Sequence, residues 1–247
     1  MAGAWTNLAL VLDDAQAAEA IAAAKRALEL PATKDPVRRS HALAALGHVS
    51  LRAGRRDDAA AAFEEALRLD PRRASAAVAL AALRTEAGQA DRAVEVLVAT
   101  KAAGAQSAPL ETALAVHRWQ AGDVAQAQQR ATDALRIDAG AVDAKAVLGW
   151  TYLSQQRWGD AAQRLDEVAK ARPADADVQA ALGYAYSKLG RHAEAIQAFD
   201  RAVALAPAHP SAHAYRGASL EATGEVAKAR AEYETAATTQ DGKDALD

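Results

Sequence analysis

The chain has 247 residues, a length that suits one or two ordinary domains; 51% are apolar yet only 4% are aromatic. The 29 Lys+Arg against 32 Asp+Glu leave a formal net charge of −3, which argues against a nucleic-acid or anionic-membrane binder, since either needs a basic excess or stripe. Cysteine is absent, so disulfides, thiolate zinc sites and cysteine nucleophiles are excluded, and no apolar run approaches the ~18 residues of a membrane span. Seventy-two alanines, with Leu, Glu, Arg and Gln behind them, predict an all-helical protein. β-Branched and aromatic residues are too sparse for an extensive sheet. The opening MAGAWTNLALVLDD has no basic stretch and no cleavage motif, so no signal peptide is expected.

In chain order, Ala20, Ala24 and Ala27 fit the second helix of a degenerate repeat that begins near Met1 and occupies residues 1–39 together with an insertion loop. PATKDPVRRS, from Pro31 to Ser40, carries two prolines and a charge cluster and reads as that loop. From residue 40 a 34-residue period runs without a gap through six units: 40–73, 74–107, 108–141, 142–175, 176–209 and 210–243. LGYAYSKLGRHAEAIQAFDRAVALAP, from Leu182, aligns with LGWTYLSQQRWGDAAQRLDEVAKARP, from Leu148, and further steps of 34 reach LGHVSLRAGRRDDAAAAFEEALRLDP, from Leu46. A polar tail, 244–247, remains.

Each recurring position has a physical task. The eighth residue is small throughout: Gly47, Ala81, Ala115, Gly149, Gly183 and Gly217. Twelve residues later stands an invariable alanine: Ala59, Ala93, Ala127, Ala161, Ala195 and Ala229. Two helices approach closely only where neither carries a bulky side chain, so these positions mark their crossing. Between them Gly54, Gly88, Gly122, Gly190 and Gly224 can adopt positive φ and end the first helix, with Gln156 the exception. Phe63, Leu97, Leu165, Phe199 and Tyr233 are expected to fill the neighbouring unit's groove, and Pro71, Pro173 and Pro207 to stop the second helix. The units from Ala74 and Ala108 carry Arg84 and Arg118 in a large apolar slot and should pack more loosely.

This pattern resembles the tetratricopeptide repeat family and matches it over about four fifths of the chain. The resemblance implies an all-α, right-handed α-solenoid (a superhelix) with first helices lining the concave side. Such arrays are quasi-one-dimensional and are normally closed by a polar-faced helix. Here only TTQDGKDALD follows the last second helix, so the chain is read as cut from a longer protein or as packing its end against something else. Positions two, five, nine and twelve of each first helix share one face by their spacing, and the family points that face into the groove. The candidate lining is then Thr112, Val116, Trp119, Trp150, Leu153 and Tyr184, with His48, Arg52 and Lys188. Trp119 and Trp150 each have a second reading, packing inside the solenoid; a one-residue slip would put Trp119 in the slot held by Arg118. Trp158 is assigned a structural role, as the aromatic that opens the second helix and packs on the first. A subgroup of the family grips a C-terminal carboxylate with Lys at position five and Asn at position nine. Those positions hold pairs such as Ala44/His48, Thr112/Val116, Ala146/Trp150 and Ala180/Tyr184, so that clamp is absent.

Catalytic and metal chemistry find no support in the sequence. His209 and His213, four apart but separated by Pro210, read as solvated surface histidines rather than a zinc pair. His41 and His48 near Arg52 would make one end of the groove cationic at low pH. No Gly-rich phosphate loop, G-x-S-x-G elbow or H-E-x-x-H run occurs. The pairs Arg38/Arg39, Arg55/Arg56 and Arg72/Arg73 are offset by nearby Asp and Glu. The expectation is a non-enzymatic scaffold or adaptor, without cofactor or metal, that grasps a peptide or protein segment through hydrophobic or aromatic anchors. It neither binds nucleic acid nor inserts in a membrane. Ala and Arg usage suggests a bacterial assembly concerned with envelope, secretion, pilus or motility, in the cytoplasm, or in the periplasm were a leader removed. Two alternatives stand beside it: a structural protein self-associating through uncapped ends, and a regulatory fragment of a larger protein.

Overall fold

The computed structural model describes residues 2–209 and 211–238. The polar tail 244–247, the end of the last unit and Pro210 lie outside the described residues, among which the fold is all-α, a solenoid of fourteen α-helices without a strand. Antiparallel pairs follow one another: α1 (Ala2–Val11) with α2 (Ala17–Glu29), α3 (Pro36–Arg52) with α4 (Arg56–Leu69), and α5 (Ala74–Glu86) with α6 (Ala90–Ala102). After α7 (Ala108–Gln120) and α8 (Val124–Ile137) come α9 (Val142–Ser154) with α10 (Trp158–Ala171), α11 (Ala176–Lys188) with α12 (His192–Leu205), and α13 (Ala212–Ala222) with α14 (Val226–Thr238). The chain divides into two compact units, Met1–His117 and Arg118–Asp247, with the boundary inside α7. No helix among the described residues is long and apolar enough to cross a membrane.

Helix ends follow local chemistry. Asp35 accepts a hydrogen bond from the Arg38 amide at 2.9 Å and Pro36 opens α3, so Pro36 to Ser40 are helical rather than looped. The expected insertion loop thereby shrinks to a single 3₁₀ turn, Pro31–Lys34. First helices end on residues at positive φ: glycine at Gly54, Gly88, Gly122, Gly190 and Gly224, and Gln156 at φ 59°. At Gln156 the repeat's geometry overrides the steric preference of an L side chain. Second helices α4, α10 and α12 end two residues before Pro71, Pro173 and Pro207, through the extended Asp70 and through Arg172 and Ala206, which leave helical geometry at φ −130° and −136°. Asp138 is equally extended although Ala139 follows it, so the extended residue belongs to the repeat and proline reinforces it.

The tightest packing lies where the two helices of a pair cross. A Cβ placed on Gly47 would stand 2.5 Å from the Phe63 ring, one on Gly149 2.7 Å from Leu165, and one on Gly183 or Gly217 2.8 Å from Phe199 or Tyr233. In these four pairs the large residue of the second helix therefore seats on the glycine of its own unit, not only in the neighbour's groove as expected. It still reaches forward: Phe63, fully buried, clusters with Ala76 and Leu80 of the next pair. Where the small residue is Ala81, Leu97 is buried to the same extent, and Arg84 finds acceptors in Glu64, at 3.0 Å, and the Arg92 carbonyl, at 3.1 Å. Polar seams add to the apolar ones. Ser40 donates to the Ala66 carbonyl at 2.8 Å and accepts from Arg73, and Glu167 takes Lys145 on one oxygen and Arg164 on the other.

Gly183→Ala should lower stability by roughly 1–3 kcal/mol, because the added methyl forces the fully buried Phe199 out of its seat. Phe199→Leu in that background should recover part of the loss. Urea melts of the three chains check this, and an unchanged midpoint for Gly183→Ala would show that the crossing has slack.

Candidate functional site

In the second unit the first helices α9, α11 and α13 contact one another in succession and present their aromatic residues side by side. The half-buried rings of Trp119, on the last turn of α7, and Trp150, on α9, stack with centroids 5.3 Å apart and planes 30° from parallel. Trp150 also rests, with Leu153, against the cluster built on Leu165, Val178 and Leu182. Core packing and partial exposure thus coexist in one side chain. Tyr184 belongs to a second group. Tyr215 lies 4.7 Å from it at 57°, and Trp158 stands edge-on at 5.8 Å and 89°. Lys188 sets its ammonium 5.3 Å from the centre of the Tyr184 ring. Trp158, expected to pack on the first helix of its own repeat, meets Tyr184 of the next. Tyr215 was absent from the expected lining because it falls outside positions two, five, nine and twelve. The only hint was its spacing of four residues from Ser211, which puts both on one side of the chain entering α13.

The remaining expected residues lie in the first unit. Thr112 is buried and Val116 half-buried on α7. Arg52 is engaged structurally: its guanidinium donates to the Leu12 carbonyl at 2.8 Å and the Ala9 carbonyl at 3.1 Å, satisfying acceptors at the C-terminal end of α1. His48 sets its ring 5.0 Å from Phe63 at 70°. Burial, and then the Arg52 charge, hold the His48 imidazole below its ordinary 6.5. Burial and Arg73 do the same to His41, and burial alone to His117, whose Nε2 lies 3.5 Å from the Thr85 hydroxyl. A cationic patch from His41 and His48 thus requires a more acidic medium than an unperturbed imidazole would.

His209 and His213 are not solvated surface residues, as the sequence had suggested, but buried ones. His209 Nε2 lies 3.1 Å from Asp177, while its Nδ1 accepts from the Ala212 amide at 3.3 Å. His213 spans Glu232, at 2.8 Å, and the Pro207 carbonyl, at 2.9 Å. Pro210, where the sequence places a helix start, lies outside the described residues, and nothing in its spacing signals these long-range partners. Among the described residues no group of three or more His, Asp or Glu could hold a metal ion.

Family models of the tetratricopeptide repeat match residues 50–116 and, in overlapping segments, 112–176, 147–210 and 180–245. No curated protein matches the chain. Among solved structures, MamA of AMB-1 is 28% identical over 68% of this chain and 91% of its own, with a TM-score of 0.57. MamA of Desulfovibrio magneticus RS-1, from residue 41 to its end, is 19% identical over 71% and 98%, with a TM-score of 0.60. YrrB, a tetratricopeptide protein with an unusual peptide-binding site, is 17% identical over 81% and 97%, with a TM-score of 0.58. At these last two identities the likeness is one of fold.

The three imidazoles make the first unit acid-sensitive. Each is depressed in the folded state, so the stability it contributes is complete above pH 6.5 and is lost as pH falls through the lowered value. Thermal melts should fall between pH 7.5 and pH 5, above the range where exposed carboxylates titrate. His48→Gln should flatten that slope; a slope unaltered by the substitution would remove His48 from the account.

Proposed function

The chain belongs to the tetratricopeptide repeat family, and on that premise we propose that it is a non-enzymatic scaffold holding a peptide or protein segment on the groove face of its first helices. The observation that carries this reading is the pair of aromatic groups in the second unit, Trp119 with Trp150 and Tyr184 with Tyr215 and Trp158, each ring half-buried. Rings held by packing on one side and open on the other give large contact area at little further entropic cost, which is why Trp and Tyr dominate interface energetics. Leu153 and Lys188 flank the rings, so the guest is a segment with apolar or aromatic anchors. Ala146, Ala180 and Ala214, buried on the same helices, add no bulk beside the rings. A bacterial multiprotein assembly remains part of the proposal, supported by the Ala- and Arg-rich composition.

A specific observation also favours self-association. Helix α1 carries no charged residue and leaves Trp5 38%, Leu8 43% and Val11 81% exposed, an apolar face that another helix would cover.

Two experiments separate these readings. A photo-crosslinking residue at Ser187, three residues along α11 from Tyr184, should capture a partner in the native cell, whereas one at Arg201 on α12 should not. Trp150→Leu, which keeps an apolar group against the core, should weaken capture at least tenfold, in line with the ~2 kcal/mol typical of an interfacial anchor. Equal capture from both positions would defeat the groove reading. For self-association, light scattering should show a mass that rises with concentration and becomes constant in Leu8→Glu. A constant monomer mass in the unaltered chain would eliminate that reading.

A further inference from the structure

Between α11 and α13 lies a cavity of about 270 Å³ walled by Asp177, Ala180, Ala181 and Tyr184 on one side and by His209 and Tyr215 on the other. We infer that this cavity receives a basic side chain, lysine or arginine, from the bound segment; the inference rests on the scaffold reading and specifies its guest. Three features of the cavity lead there. Tyr184 and Tyr215 meet at 57° with centroids 4.7 Å apart, and Tyr215 stacks on Phe199 at 6.4 Å and 20°, so the cavity has an aromatic wall with π-density available to a cation at its edge. Tyr184 already attracts one within the molecule, the Lys188 ammonium, 5.3 Å from its centroid. Ala180 and Ala181 form a small apolar floor suited to the methylene stem of a long cationic side chain. At the mouth, Asp177 keeps 85% of its side chain exposed while one carboxylate oxygen lies against His209.

Charge around the cavity selects among guests. The groove positions of α9, α11 and α13 hold Asp143, Asp177 and Glu221 and no lysine or arginine. Asp143 is ion-paired with Arg172, and Glu221 accepts the Tyr233 hydroxyl, whose titration is pushed up to about 12 by burial and by that bond. The partner of Asp177 is an imidazole instead of a guanidinium. Lys188 stands eleven residues further along α11 from Asp177, with its ammonium on the Tyr184 ring, 5.3 Å from the centroid. An anionic guest would meet the Asp177 carboxylate, and a purely apolar one would strip water from it without compensation. A cation on an aliphatic stem satisfies rings, floor and carboxylate together.

The test uses the full chain with isotope-labelled tyrosine, ring signals assigned through Tyr184→Phe and Tyr215→Phe, and four probes: the Nα-acetyl methylamides of arginine, lysine, norleucine and glutamate. The arginine and lysine probes should shift the Tyr184 and Tyr215 signals with affinities on the order of millimolar. They should bind about fivefold more tightly than norleucine, with glutamate weakest. Asp177→Asn, which keeps an oxygen for His209 and removes the charge, should erase the preference without moving the melting temperature. Equal binding of arginine and norleucine, preference for glutamate, a preference surviving Asp177→Asn, or no shift with any probe each overturns the inference. Such a failure would leave capture at Ser187 intact. Loss of capture with the cationic preference retained would instead count against the scaffold reading.

Discussion

A glycine on the first helix lying beneath a ring or branched side chain of the second is the contact on which this fold depends. At Gly47, Gly149, Gly183 and Gly217 the space a Cβ would occupy is already filled by Phe63, Leu165, Phe199 and Tyr233. The missing methyl lets two helices approach closely, and the close approach buries the alanines that stand opposite, such as Ala59, Ala161 and Ala195. In a chain so rich in alanine and so poor in aromatics, small residues bring backbones together, and one large residue fills what remains at each of these crossings. The same large residue touches the following pair, so the crossing that makes one unit also joins it to the next.

That economy explains where the aromatic residues went. With two phenylalanines, five tyrosines and four tryptophans in the whole chain, few rings are spent on the crossings. Others stand at helix surfaces. Tyr152 and Tyr186, one period apart, receive Arg157 and Arg191 over their rings at 4.2 and 4.4 Å. Trp119, Trp150, Tyr184 and Tyr215 stand half-buried in two ring pairs on the first helices, where the proposed guest would meet them. A ring in that state makes a strong anchor because its ordering cost is met before the partner arrives. The proposed specificity follows from what surrounds the rings: small residues, a carboxylate at one end of α11 and an ammonium at the other.

The comparisons bear on architecture more than on chemistry. MamA and YrrB share the stacking of helix pairs with this chain, and a shared stacking scheme leaves the groove positions free to vary. Those positions here lack the lysine and asparagine that one subgroup of the family uses for a terminal carboxylate, and the structure offers rings and acids in their place. The proposed guest is correspondingly a side chain with apolar or cationic character.

What the sequence determined by itself was the class of fold and its period. Identity at a spacing of 34 is a property of covalent order, and the steric demands of a crossing and of a positive-φ turn act through single residue types, as at Gly183 and Gly190. What only the tertiary structure decided were contacts that depend on helix rotation and on partners far along the chain. A turn of α7 by one residue separates a Trp119 buried beneath its neighbours from the one that stacks on Trp150. His209 and His213 read as surface residues until Asp177 and Glu232, 32 and 19 residues away, come to meet them. Arg52 reads as a groove cation until the last carbonyls of α1 claim it. Periodicity records which face a residue occupies, but a few degrees of rotation, set by the summed packing of neighbouring helices, choose its partner.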